Sequence, residues 1–398
     1  MIKKSLLFLI LALSFAALSL TGCNRNNSGN SGAEPTEAEL QAALEAIQQM
    51  VGVGANAPTS TTAPAPTAAP ATTAPASTPG SGGPTNWTRV ADTTFGTSSS
   101  IYAIAYGGGR WVAGSEDGKM AYSTDNGVTW TAVANSTIWN VGTSSTGVIL
   151  TASIQDIAYG NNRFVAVGGG GRMAYSSDGV SWTAGAENIL GTSIYGTGNG
   201  ITAIAYGNNR FVAVGSQGKM AYSDDNGVTW TAVADSTIWQ FTNSLGILLT
   251  PDIRAIVYGN NRFVATSWYD IAYSADGANW TAVADKPFGN YTMDAITFGT
   301  AGNAGGRFVV GGRPGTAYSA NGESWTFIDS PVYIDGLSWG NNRFVSLGMD
   351  GKIEYSADAV TWTRVANSPF TRTSSVVAYG NGRFIAVADD GRMAYCDW

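Results

Sequence analysis

The apolar residues of this chain fall into three regimes along its length. Near the start a single run from Leu6 to Leu20 follows Lys3 and Lys4. Between Thr36 and Val51 the positions Leu40, Leu44, Ile47 and Val51 keep helical spacing, and Thr36 with Glu39 has the form of a capping box. A short amphipathic helix is therefore predicted over 36–51. From Trp87 to the end the apolar residues come in short runs broken by glycine and asparagine, the pattern of strands joined by tight turns.

The third regime is periodic. One full copy runs Ile157-Ala158-Tyr159-Gly160-Asn161-Asn162-Arg163-Phe164-Val165-Ala166-Val167-Gly168, then Met173-Ala174-Tyr175-Ser176, then Trp182-Thr183. The aromatic before the glycine recurs as Tyr106, Tyr159, Tyr206, Tyr258, Phe298, Trp339 and Tyr379; the later tryptophan recurs as Trp87, Trp130, Trp182, Trp230, Trp280, Trp325 and Trp362. Each unit reads as four short strands, A to D, with Asn-Asn suited to the A–B hairpin because asparagine tolerates positive φ. Four strands per unit, seven times over, predict an all-β fold, a seven-bladed β-propeller of four-stranded antiparallel blades. The first tryptophan precedes the first strand A, and the last strand A has no tryptophan strand after it. Segment 87–91 is thus predicted to be strand D of the last blade, closing the ring and leaving no sheet edge unpaired between the ends of the repeat.

The turn before each tryptophan carries Ser123, Asp125, Gly127 and Trp130 in one copy and Ser223, Asp225, Gly227 and Trp230 in another. It resembles the Asp box, Ser-x-Asp-x-Gly-x-x-Trp, of BNR-type propellers such as the sialidases and the photosystem II stability and assembly factors. Other copies are one residue shorter; Asn321 replaces the aspartate in one and Ala359 the glycine in another. The resemblance spans 87–398 and implies the propeller fold, with the box as a structural turn.

The positive start, apolar run and Leu20-Thr21-Gly22-Cys23 describe an export signal that resembles a bacterial lipobox. This implies removal of residues 1–22 and acylation of Cys23; the alternative, an uncleaved membrane anchor, would need an apolar run of about 20 residues. Residues 23–35 would follow as a lipidated flexible N-terminus, then the helix, then 52–86 as a Pro/Thr/Ala-rich linker. That composition buries too little to offset chain entropy, so the linker is expected to be a disordered, extended spacer. Asn24 after the cysteine implies, by the same resemblance, the outer membrane or cell surface, facing the exterior or periplasm.

Composition then narrows the chemistry. Only 12% of the 398 residues are charged and none is histidine. This removes the commonest general base, the usual serine and cysteine triads, and the imidazole ligands of most zinc and copper sites. No metal and no cofactor is expected. A net charge of -7 provides no basic field for a phosphate backbone, so no nucleic acid partner is expected either. Two cysteines, Cys23 and Cys396, supply no disulfide framework.

Candidate site residues are those the repeat does not require. Seven arginines, Arg110, Arg163, Arg210, Arg262, Arg307, Arg343 and Arg383, share one slot and are read as scaffold. By contrast, the position two before the recurring Ile/Leu/Val of strand A varies: Tyr102, Gln155, Thr202, Arg254, Asp294, Asp335 and Ser375. With strand A innermost, these side chains ring one mouth of the central channel, with Asp156 beside Gln155. Such a mouth is either simply solvated or a binding site. Long D–A connections at 135–153, 185–200 and 235–251 open on the same face. There Trp139, Tyr195, Trp239 and Phe241, with Trp268 and Tyr269 of the fourth B–C turn, place aromatic surface beside polar groups. These loops either cap the ring or bind a ligand.

The expected function is a membrane-anchored, extracytoplasmic ligand-binding module, held to the membrane through lipidated Cys23. Its ligand, carbohydrate ahead of protein, would lie on the D–A/B–C loop face, because aromatic faces stack on sugar rings while amides and carboxylates take the hydroxyls. One alternative is a sialidase-like or other glycoside hydrolase using Asp294, Asp335, Arg254 and Tyr102. The other is a scaffold or assembly factor for a membrane protein complex. A sialidase would pair a tyrosine with a glutamate, yet none of Glu116, Glu187, Glu323 and Glu354 occupies a repeat position expected beside Tyr102. The chain is accordingly read as a binder rather than an enzyme.

Overall fold

A computed structural model describes residues 86–398, apart from 135–136, 188, 191–199, 235–236, 243–245, 290, 301–304, 314, 330–332, 349, 371–373 and 398. The described residues belong to one compact unit, Thr78–Trp398. The expected signal peptide, lipidated Cys23, helix and linker lie outside them.

Among the described residues there are seven four-stranded antiparallel sheets and two two-stranded hairpins. The innermost strands, A, are Ile101–Gly107, Ile154–Gly160, Ile201–Gly207, Ile253–Gly259, Met293–Thr300, Ile334–Gly340 and Ser374–Gly380. Each sheet runs A to D outward, and in the last one strand D is Thr88–Arg89, paired with Met393–Asp397. Thr88 lies opposite Tyr395 and Arg89 opposite Ala394, and the Val90 N–H donates to the Met393 carbonyl at 2.9 Å. The ring closes as the circular offset of the repeat requires.

Two sequence features explain the geometry. The Asn-Asn pairs between strands A and B all take positive φ, 46° and 60° at Asn161 and Asn162, as a two-residue hairpin matched to strand twist demands. The glycine ending strand A is a contact surface for the next blade. A Cβ on Gly207 would fall 1.9 Å from the Tyr258 ring, and one on Gly340 1.9 Å from Tyr379. The series is circular, since Gly380 of the last blade receives Tyr106 of the first at 2.3 Å.

The Ser-x-Asp turns are hydrogen-bonded as their residue types suggest. Asp125 accepts the N–H groups of Val128 and Thr129, Ser123 accepts that of Gly127 at 2.8 Å, and the Trp130 indole donates to the Gly127 carbonyl. The recurring arginines are scaffold. Arg210 and Arg383 stack over the strand-C tyrosines Tyr222 and Tyr395, at 4.1 and 4.0 Å, and donate to backbone carbonyls of the neighbouring blade at Asp276 and Asn126. The cores are filled by Phe164, Phe211, Phe263, Phe308, Phe344 and Phe384, with Trp111 in the first blade, all fully buried.

Candidate functional site

Every strand A carries a β-bulge at its start. Pairing with strand B skips one residue in each blade: Tyr102, Gln155, Thr202, Arg254, Asp294, Asp335 and Ser375. These are the seven positions singled out because they vary. A bulged residue leaves the alternation of the strand, and in the six blades from Tyr102 to Asp335 the side chain there is exposed or half-buried rather than packed in the core. The repeat therefore places a bulged position in all seven blades at the start of strand A, free to differ in residue type from blade to blade.

From blade four to blade six this ring is charged, and Asp389 and Glu116 in the B–C turns of blades seven and one extend the arc. Arg254 pairs with Asp294 at 3.0 Å, and Asp294 also accepts the Thr292 hydroxyl at 3.3 Å. Asp335 lies 4.0 Å from Arg313, whose guanidinium stands over the Tyr333 ring. Burial, reinforced by the Asp294 carboxylate, pushes the Asp335 carboxyl up to about 6, against the opposing pull of Arg313. Asp389, in the seventh B–C turn, acts electrostatically on both Asp335 and Tyr102, which ties the arc together. Burial, with Glu116 and Asp389 adding to it, raises the Tyr102 phenol above its usual range.

Tyr102 donates to the Glu116 carboxylate at 3.2 Å. The expectation that no glutamate stands beside Tyr102 is corrected: Glu116 lies in the B–C turn of the same blade, and the antiparallel A–B pairing folds that turn back over the start of strand A. The same slot, the first residue after strand B, also holds Trp268, Arg313 and Asp389. It constitutes a second variable ring that was overlooked, although aligning the ends of strand B across blades would have exposed it.

In blades two and three Asp156 and Thr202 bolt one blade to the next. Both oxygens of Asp156 are engaged, one by its neighbour Ile157 and one by the N–H of Ile204 in the next blade at 2.9 Å. Burial raises its carboxyl to about 6 despite these bonds. Thr202 donates to backbone carbonyls of Val214 and of Ile253 in the next blade, and Gln155 donates to Ser153 at 2.8 Å. The ligand-binding assignment of Asp156 and Thr202 is corrected to that of inter-blade struts, because their polar atoms are spent on backbone partners.

The D–A connections after blades one and three fold into hairpins, Asn140–Thr143 with Ile149–Thr151 and Phe241–Thr242 with Leu248–Leu249. Trp139 and Trp239 root them, each at 0% exposure, against Gly118 and Gly218 of the adjacent B–C turns. The sugar-stacking role expected of these two tryptophans is corrected. The short 3-10 turns Thr137–Trp139 and Thr237–Trp239 drive each ring into the core beneath its hairpin. What the hairpins expose is aliphatic: Val141, Val148, Ile149 and Leu150 on the first, Ile247, Leu248 and Leu249 on the second, with Val148 and Leu248 each 60% exposed. Trp268 is 40% exposed, and Tyr269 is partly buried beside Phe241. Tyr195 lies outside the described residues. Among the described residues no three Asp, Glu or Cys side chains converge as a metal-binding group.

No family model matches the chain, and no curated protein matches it. Solved structures share the fold. YCF48 from Cyanidioschyzon merolae superposes with a TM-score of 0.56 at 16% identity, over 78% of this chain and 98% of that one. YCF48 bound to D1 peptide gives 0.55 at 15% identity, over 79% and 97%. Catalytically inactive virginiamycin B lyase from Staphylococcus aureus with quinupristin gives 0.58 at 9% identity, over 78% and 98%. At these identities the likeness establishes the seven-bladed propeller and nothing about chemistry.

Proposed function

We propose that this chain is a membrane-anchored, extracytoplasmic binding module whose ligand is a protein segment, held across the mouth face. The observation that carries the reading is the aliphatic surface of the two hairpins. Residues 136–155 contain no charged side chain, nor do 236–251, and their exposed Val, Ile and Leu side chains offer apolar contact but no ring face for a sugar. Exposed apolar surface of this kind is the mark of a macromolecular contact. The neighbouring arc holds four carboxylates (Glu116, Asp294, Asp335, Asp389) against two guanidiniums (Arg254, Arg313), which favours a segment carrying basic residues. A propeller of the same fold, YCF48, has been solved bound to a peptide.

The test is a peptide array run in parallel with a glycan array on the full chain and on the pair Leu150→Asp, Leu248→Asp. Peptide binding lost in the variant supports the reading; glycan binding unaffected by the variant overturns it in favour of a lectin. The Tyr102–Glu116 hydrogen bond favours one second reading, a sialidase-like hydrolase. Sialoside turnover abolished by Tyr102→Phe would establish it, and absence of turnover removes it.

A further inference from the structure

Between the second hairpin and the fourth B–C turn lies a cavity of about 310 Å³. Its walls are Phe241, Leu249, Thr250, Pro251, Trp268 and Tyr269, and its one charged lining residue is Asp252. The Tyr269 ring stands nearly perpendicular to each of the other two. Phe241 and Tyr269 have centroids 5.7 Å apart at 82°, and Trp268 and Tyr269 6.3 Å apart at 87°. With Tyr269 set crosswise to both neighbours, the three side chains form adjoining walls around a compact group. Each ring face carries negative quadrupole charge, and the group that such walls attract is a cation with an apolar skin.

The location of the carboxylate agrees. Asp252 uses Oδ1 to accept the Gln217 N–H at 2.9 Å, an anchor that holds the carboxylate at the cavity. Arg254, two residues on, is paired with Asp294 at 3.0 Å, and Lys286 with Asp270 at 2.5 Å, so neither of these cations is spent on Asp252. A hydrated ammonium such as lysine would surrender strong solvation to enter. A quaternary ammonium is weakly hydrated and presents methyl groups to all three rings. The volume stands at the lower end of small-ligand sites, about 300 Å³ upward.

We propose that this cavity binds a small, free quaternary ammonium solute of the choline or betaine type, with Phe241, Trp268 and Tyr269 as the cage and Asp252 as counter-charge. The site shares Leu249 with the peptide surface, but neither residue substituted in the peptide test, Leu150 or Leu248, lines it, so the two readings fail separately.

Calorimetric titration of the full chain with choline tests it, alongside the uncharged carbon isostere in which a tert-butyl group replaces trimethylammonium. Choline is expected to bind about tenfold more tightly than the isostere. Trp268→Ala should abolish the binding. Asp252→Asn keeps the Oδ1 acceptor for Gln217 and should weaken binding several-fold while the circular dichroism stays that of the parent. Equal affinity for the isostere, no heat with choline, or unchanged affinity in both variants overturns the proposal. Association only with phosphatidylcholine vesicles and not with free choline also overturns it, because the ligand would then be a lipid surface.

Discussion

At Gly340 an added methyl group would stand 1.9 Å from the ring of Tyr379, a residue of the next blade. Overpacking of this kind costs about 2–3 kcal/mol, so Gly340→Ala should lower the urea midpoint at unchanged m-value. Gly96→Ala makes the contrast: its φ of 79° is left-handed but nothing lies within 4 Å, so only the backbone penalty of about 1 kcal/mol remains. Titration offers a second test at this scale. Burial and Asp294 raise the Asp335 carboxyl to about 6, while an unfolded aspartate titrates near ~3.9. Its contribution to stability is therefore fully present below about pH 4 and lost as pH rises toward 6, and buried Asp156 acts in the same direction. In the Ser-x-Asp turns burial raises the carboxyl, but the donors around Asp125 and Asp225 outweigh it and hold both below the usual range. Their contribution is present above about pH 4 and lost as pH falls. Thermal melts of Asp335→Asn should show a shallower decline in stability between about pH 4 and 6 than the parent, with the acid limb unchanged.

Among the elements, the hairpins separate core from surface within a few residues. Trp139 is fully buried, and Trp139→Ala should cost about 3–5 kcal/mol. Leu150→Asp, on an exposed strand of the same hairpin, should leave the unfolding midpoint within about 0.5 kcal/mol of the parent. The opposite order in denaturant unfolding would contradict the observed orientation. Strand count, turn type and the rim position were all legible in the chain, because each copy repeats them and the variable slot stands out against a constant background. The direction of Trp139 was not legible. An aromatic in a non-repeating loop carries no periodicity, and its facing depends on a turn geometry that the repeat does not dictate. Glu116 was missed for a related reason. It lies 14 residues from Tyr102 in the chain and reaches it only because strand B runs back alongside strand A.

For the molecule as a whole, stability rests on a closure with no covalent link. Thr88–Arg89 pairs with the final strand; Arg383 of strand B holds that final strand by a two-pronged ion pair to Asp397, at 2.5 and 2.8 Å, and ties blade seven to blade one through a bond to the Asn126 carbonyl. Arg383→Ala should cost about 2 kcal/mol, discounted for the solvent exposure of Asp397. Deleting residues 86–91 exposes the edge of Met393–Asp397 and should produce concentration-dependent aggregation by light scattering, because an unpaired strand recruits other strands. Moving the same residues behind Asp397 through a short linker should restore a monomeric ring.

Blade number, strand order and circular closure are properties of a period, and a period is one-dimensional, so the chain alone determined them. The charged arc, the inter-blade struts, the buried hairpin tryptophans and the aromatic cavity were decided only by the tertiary structure. Each depends on groups from different blades or loops meeting through space, and the repeat constrains where those loops begin but not how they fold.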